Sequence, residues 1–424
     1  MQPGRKSLAR LPRGWLGRQA RASLIASRRL PPARATSRAS SEAVAPTSSG
    51  IVTVHNSLTG RREHLPFTPS SSAKAETPGQ QPFLGWYSCG PTVYDDAHIG
   101  HARTYVCFDV IRRVLGERFG VPLLCAMGVT DVDDKILARA RERDEPPAAL
   151  AARFEGRFFE DLKALGCLEP HARLRVSDHL PEIVAYIEAI EAKGFAYAAP
   201  SGVYFDVAAF GEAHYRAFGA GRKGAQGAPQ PGVAVQQGEG APSATEADSG
   251  EQPAPDKRGP RDFALWKASK AGEEGEGFGW SSPWGRGRPG WHIECSALTE
   301  AFFGDGGLQL HSGGKDLAFP HHANEIAQAE AHRGAPGGGW VPLWLHTGHV
   351  HIKGSKMSKS LKNFISVRAF LRGDGASVDG GGGSGGSGGV ADSGRADDLR
   401  LWCLQYHYRS DVHYSEERME EARR

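Results

Sequence analysis

WYSCGPTVYDDAHIGHARTYVCFD, residues 86–109, decides how the chain is read. Phe83, Leu84, Trp86 and Tyr87 form an apolar run that meets Cys89-Gly90-Pro91. Glycine and proline together break strand and helix interiors, so a strand ends there. Beyond His98, apolar residues at Tyr105, Val106, Phe108, Val110 and Ile111 predict a helix. Strand, sharp turn and helix place His98, Gly100 and His101 at the helix mouth. Free backbone N–H groups and the positive end of the helix dipole favour an anion at such a mouth, usually a phosphate. Gly100 lets a phosphate approach the backbone, and the two imidazoles can donate hydrogen bonds to its oxygens. Read alone, the four residues 98–101 (HIGH) also suit a plain helix cap.

Working outward, Val121–Met127 predicts a strand that ends in a turn over Gly128–Lys135. In a doubly wound sheet the carboxyl ends of strands line the ligand crevice. Helical patterns follow at 133–143, 147–165 and 179–193, and strands within 195–210. Downstream come a helix over Trp291–Phe303, a strand at Leu308–His311 running into Ser312–Asp316, and a helix over Phe319–His332 with Pro320 in its first turn. A further strand spans Val341–His351, with Lys356-Met357-Ser358-Lys359-Ser360 on the loop after it. Strands alternating with helices predict an α/β chain.

The bulk numbers narrow the class. The 424 residues carry a formal charge of +3, but residues 1–41 hold nine arginines, one lysine and no acid. That leader alone is +10, which leaves −7 for the rest, so a nucleic acid must be met by local basic patches. Arg, Ser and Ala dominate residues 1–50, which predicts a mitochondrial transit peptide; a basic RNA-binding tail is the other reading. The six cysteines (89, 107, 125, 167, 295, 403) show no disulfide-framework spacing, and no apolar run reaches the length of a membrane span. Residues 219–262 lack aromatics and read as a disordered insert, and 372–398 includes GGGGSGGSGG, a flexible composition.

HIGH followed by KMSKS, on either side of a Rossmann-type core, resembles the class I aminoacyl-tRNA synthetases. CGPTVYD at 89–95, GWHIECS at 290–296 and FPHHANE at 319–325 resemble the cysteinyl-tRNA synthetases of mitochondrial type, over roughly residues 84–218 and 261–420. The resemblance implies a parallel sheet split by a connective insertion and followed by a small helical stem-contact region. Its divisions are a transit peptide at 1–50, short strands and a linker at 51–82, and a first catalytic half at 83–190. A connective polypeptide follows at 191–288, a second catalytic half at 289–350, and the KMSKS and stem-contact region at 351–424.

It also implies ATP-dependent activation of L-cysteine and transfer to tRNA-Cys in the mitochondrial matrix, with Mg²⁺ accompanying ATP. His98, His101, Lys356 and Lys359 are the expected catalytic residues. ATP contacts fall on His98, Gly100, His101, Lys135, Gly314, Asp316, Lys356 and Lys359, and cysteine contacts on Gly90, Thr130, Trp291 and His321. The expected metal ligands are Cys89, Cys295, His321 and Glu325; His321 and Glu325 lie four apart on a predicted helix, hence on one face. Two thiolates, an imidazole and a carboxylate suit Zn²⁺. The metal would select the substrate sulfur, because packing discriminates weakly between cysteine and serine.

The chain departs from the family pattern at Ala138 and Ala323, and at the glycine-rich interruption. It stops at Arg424, where the family continues into a helical anticodon-binding domain. Two other readings share much of this text: a cysteine ligase acting on an amino sugar, and a non-catalytic RNA-binding relic.

Overall fold

The computed structural model describes residues 52–66, 83–215, 255–273, 279–359, 363–373 and 393–424. The basic leader, the linker over 67–82 and most of both low-complexity inserts lie outside these residues. A hairpin of β1 (Thr53–Asn56) and β2 (Arg61–His64) comes first. β3 (Leu84–Ser88) leads into α1 (Ile99–Arg113), and β4 (Leu123–Val129) into α2 (Asp134–Arg143) and α3 (Pro147–Ala164). β5 (Ala172–Arg175) is followed by α4 (Leu180–Ala192).

An antiparallel unit then interrupts, built from β6 (Ala196–Ala199), β7 (Gly202–Phe205), the short α5 (Val207–Phe210), β8 (Phe263–Ala268) and β9 (Gly287–Pro289). α6 (Trp291–Phe303), β10 (Leu310–Gly314), α7 (Ala323–Arg333) and β11 (Leu343–Thr347) return the chain to the first sheet. β12 (Val350–Ile352), β13 (Ser355–Lys356), α8 (Val367–Arg372), α9 (Ser393–Leu404), β14 (Val412–His413) and α10 (Glu416–Arg423) complete it.

The central sheet has the order β11-β10-β3-β4-β5, with every pairing parallel. β3, β10 and β11 are buried on both faces, whereas β5 at the edge buries only Leu174. Along β3 the two-residue period sends Leu84 and Trp86 to one core and Tyr87 and then Cys89 to the other. The first core is closed by α1, α3 and α9, through residues such as Val106, Phe158 and Trp402. The second is closed by α4, α6, α7 and the antiparallel sheet, through Ile187, Leu298, Ile326 and Leu265. From β3 the chain builds β4 and β5 on one side and returns as β10 and β11 on the other. The order therefore reverses between β3 and β10, and the crevice outside their carboxyl ends is where doubly wound folds bind ligands.

A small sheet, β13-β12-β14, hangs from the end of β11. The fully buried Arg103 of α1 ties it down: Nη1 donates to the Gly348 carbonyl (2.7 Å), and Nη2 to those of Ser410 (2.8 Å) and His407 (3.3 Å).

Three expectations need correction. Pro320 does not open a helix: Phe319 before it is extended (φ −143°, ψ 132°), and regular helix begins at Ala323. A residue preceding proline is pushed out of the α region, so FPHH forms an irregular turn instead. Residues 255–262 do not belong to a disordered insert. Asp262 is buried, and its carboxylate accepts from the Tyr197 hydroxyl (2.8 Å) and from the N–H groups of Gly259 (2.8 Å) and Val207 (3.1 Å). The glycine-rich interruption is also shorter at its end than its composition implied, because α9 starts at Ser393 and buries Ala396, Leu399 and Trp402.

Candidate functional site

Cys89 follows β3 at the point where the strand order reverses, and Cys295 faces it from the second turn of α6. Their sulfurs are 3.7 Å apart. His321 from the turn and Glu325 from the first turn of α7 complete the group, with Nε2 of His321 3.1 Å from Oε1 of Glu325. All four residues are buried, and one donor atom from each lies within 4.8 Å of the others. Sulfur, imidazole and carboxylate donors in one enclosed cluster suit a transition metal.

A second combination, Cys89, His311, His322 and Glu325, meets the same distance limit. Here His322 Nε2 is 3.3 Å from Cys89 Sγ, and His311 Nε2 is 2.8 Å from Glu325 Oε2. Burial holds the Glu325 carboxyl and the Cys89 thiol well above their ordinary ranges. Cys295 lies well below, because its thiolate accepts a hydrogen bond from the Cys89 thiol.

At the mouth of α1, His98 is the N-cap. Its Nδ1 accepts from the His101 N–H (3.3 Å), and Nδ1 of His101 accepts from the His98 N–H (3.4 Å), a reciprocal cap made of two imidazoles. The rings stack at 3.7 Å and 15°. Burial drives His98 well below its ordinary range and His101 down to about 3, so both are neutral at pH 7. A neutral ring whose Nδ1 accepts carries its proton on Nε2, which leaves each histidine a donor beyond the cap. Gly100 also has a steric task. A Cβ there would sit 2.8 Å from Cε1 and 2.9 Å from Nδ1 of His98, so glycine makes room for the ring.

Lys356 does not lie in an open loop but ends β13, after a tight turn in which Lys353 (φ 48°) and Gly354 (φ 83°) are both left-handed. Its ammonium is 3.4 Å from Asp316, which also lies 3.5 Å from Nε2 of His349. Although burial works to raise it, His349 and Lys356 hold Asp316 below the usual carboxylate range. Lys359 donates to the Asp95 carbonyl (3.0 Å) and sits over the Tyr94 ring (4.6 Å). Burial, helped by Arg139 and Lys135, pushes Lys359 down to about 8. Lys135 itself occupies the first turn of α2, where its N–H donates to Asp133. Asn363 brackets the motif by accepting from the Ser358 N–H and donating to the Lys356 carbonyl, both at 2.9 Å.

Around the metal-competent cluster, Trp291 stacks on His321 (4.3 Å, 23°). Gly90 cannot carry a side chain, because a Cβ would lie 1.8 Å from the Gly128 carbonyl of β4. Gly314 ends β10, and a Cβ there would come 2.5 Å from Asp316. The Thr130 hydroxyl donates to Glu294 (2.7 Å), a carboxyl that burial raises well above its ordinary range.

Glu294 was not anticipated, nor were three histidines that position the others. His292 Nδ1 lies 3.0 Å from His321 Nδ1, His346 Nε2 lies 2.7 Å from His322 Nδ1, and His311 holds Glu325. The flanks of Cys295 in GWHIECS held the signal for His292 and Glu294; His311 and His346 sit on strands, where nothing in the local pattern marks them.

A family model, "tRNA synthetases class I (C) catalytic domain", matches residues 75–377. The probable mitochondrial cysteine–tRNA ligase of Xenopus tropicalis is 43% identical over 374 residues, which cover 88% of this chain and 54% of that protein. The cytoplasmic cysteine–tRNA ligase of Dictyostelium discoideum is 46% identical over 318 residues, 75% of this chain and 44% of that one. The cysteine–tRNA ligase of Pyrococcus horikoshii is 42% identical over 374 residues, 87% and 65% respectively. The chain thus spans about half to two thirds of the length of these curated relatives. Among solved structures, methionyl-tRNA synthetase of Mycobacterium tuberculosis in complex with methionyl-adenylate superposes with a TM-score of 0.54 at 17% identity, over 80% of this chain and 68% of that one. That likeness speaks for the fold.

Proposed function

The chain belongs to the class I (C) tRNA synthetase family, and from that premise we propose that it is the catalytic part of a cysteine–tRNA ligase. It activates L-cysteine with ATP and passes the cysteinyl group to tRNA-Cys. The observation that carries the reading is the buried quartet of Cys89, Cys295, His321 and Glu325. Zinc fits it. Bonds of about 2.0–2.3 Å in a tetrahedral site give donor separations of roughly 3.3–3.8 Å, and the two sulfurs are 3.7 Å apart. When bound, zinc supplies a Lewis acid that prefers a thiolate sulfur to a hydroxyl, which separates cysteine from serine.

The remaining chemistry falls to side chains. A carboxylate oxygen of cysteine attacks the α-phosphorus of ATP, the bond to the bridging oxygen breaks, and pyrophosphate leaves with the electron pair. Such a transfer needs positioning and charge stabilisation above all. The Nε2–H groups of His98 and His101 donate to triphosphate oxygens in front of the helix N-terminus. Lys356 and Lys359 neutralise the departing pyrophosphate, and Mg²⁺ accompanies the nucleotide. Lys135, Gly314 and Asp316 complete the nucleotide site. Gly90, Thr130 and Trp291 shape the amino-acid pocket, and His321 reaches both substrate and metal. The acid-poor leader, together with the name of the Xenopus relative, supports the mitochondrial matrix as the compartment.

Cysteine-dependent ATP–pyrophosphate exchange, with serine as control, tests activation, and charging of tRNA-Cys tests transfer. Exchange selective for cysteine plus charging is the expected result. Exchange without charging means either a truncated synthetase or a ligase with another acceptor such as an amino sugar, and offering that sugar separates the two. No exchange by folded, zinc-loaded protein overturns the proposal.

A further inference from the structure

Away from the buried quartet, the small sheet brings together His349, His351 and Asp411, with one donor atom from each within 4.8 Å of the others. Strand geometry explains the grouping. Residues two apart project on one face, and the rings of His349 and His351 are 6.2 Å apart. The parallel pairing of Val350 with Val412 and of His351 with His413 brings Asp411 level with His349, whose N–H donates to Asp411 Oδ1 (2.9 Å). His413 adds a third imidazole, its ring 5.2 Å from that of His351.

We propose that His349, His351 and Asp411 form a second metal site, for a divalent transition metal such as Zn²⁺. Two imidazoles and a carboxylate are borderline donors of the kind Zn²⁺ takes, and three protein ligands leave a coordination position open. The histidines are half-buried and Asp411 is exposed, so the ion has access. Lys315, whose ammonium lies 3.0 Å from Asp411 Oδ2, is the competitor. Its side chain is 54% exposed and that of Asp411 38%, so the pair contributes little and yields to a dication. The four-donor buried quartet fills first; this site takes the second equivalent. Because His349 also touches Asp316, the partner of Lys356, occupancy couples the small sheet to the nucleotide side of the crevice.

The test is equilibrium dialysis of Zn²⁺ against the full chain already holding one equivalent of zinc. Wild type is expected to take up a second equivalent. His351→Gln and Asp411→Asn should each weaken that second equivalent at least about tenfold, as loss of a metal's supporting group does, while keeping the first and melting as wild type does. The proposal is overturned if wild type binds only one equivalent, or if both variants bind the second as tightly as wild type.

Discussion

Cys295→Ser separates the two donor combinations that share Cys89 and Glu325. In the quartet with His321, Cys295 supplies one of two thiolates, 3.7 Å from the other. A serine hydroxyl is shorter and stays protonated, so the site loses both a bond and a charge. Loss of a supporting contact alone costs 10–100-fold in metal affinity, and loss of a ligand should cost at least about 100-fold. At a zinc concentration that saturates wild type but not the variant, that factor is about 2.7 kcal/mol of binding-linked stability. For a chain of this size it amounts to about 3 °C in melting temperature. Calorimetry with and without a chelator reads it directly. Wild type and Cys295→Ser should melt apart in zinc and converge when metal is removed. Cysteine-dependent exchange should fall with zinc content. If Cys295→Ser keeps wild-type zinc affinity while His311→Asn or His322→Asn releases the metal, the ion sits in the other combination and the assignment of Cys295 and His321 is refuted.

Gly100→Ala places a methyl under 3 Å from the His98 ring and should disturb the reciprocal cap. We expect about 1 kcal/mol of lost stability and a fall in kcat/KM for ATP of roughly a hundredfold from misplacement; unchanged kinetics would mean that the ring does not touch nucleotide. Lys359, lowered to about 8 by burial, must be protonated to neutralise pyrophosphate, so kcat/KM for ATP should decline as pH rises through about 8. Lys359→Arg, charged throughout, should move that limb upward, and a limb that stays put assigns it to another group. Thr130→Val strips the buried Glu294 of its hydroxyl partner and should cost about 1–3 kcal/mol in denaturant melts. The loss should shrink in a Glu294→Gln background, and equal losses in both would deny the coupling.

What could be read ahead of the structure was whatever local chemistry enforces. CGP ends β3 because neither glycine nor proline suits a strand interior, and α1 begins where the two histidines cap it. Cys89, Cys295, His321 and Glu325 were legible as residue types in distinctive text, and the fold does bring them together. Contacts between distant segments were not legible. The Asp316–Lys356 pair and the His322–His346 contact join residues on different elements, with no periodicity to announce them. Composition also misjudged residues 255–262, since that segment is held by one buried carboxylate and hydropathy does not register hydrogen bonds. The steric demand on Gly100 was not legible either, because phosphate approach and ring clearance call for the same residue.

Arg103 also bears on the order in which the protein matures. Its guanidinium closes on carbonyls that lie 245, 304 and 307 residues further along the chain. During synthesis α1 and its capping histidines emerge long before those acceptors exist. Until residue 410 is released, the cation one turn below the helix mouth lacks part of the carbonyl set that offsets its burial, and it favours water over the core. A chain interrupted between residues 360 and 407 carries both signature motifs, yet Arg103, on the helix that bears the first of them, has only one of its three carbonyl partners.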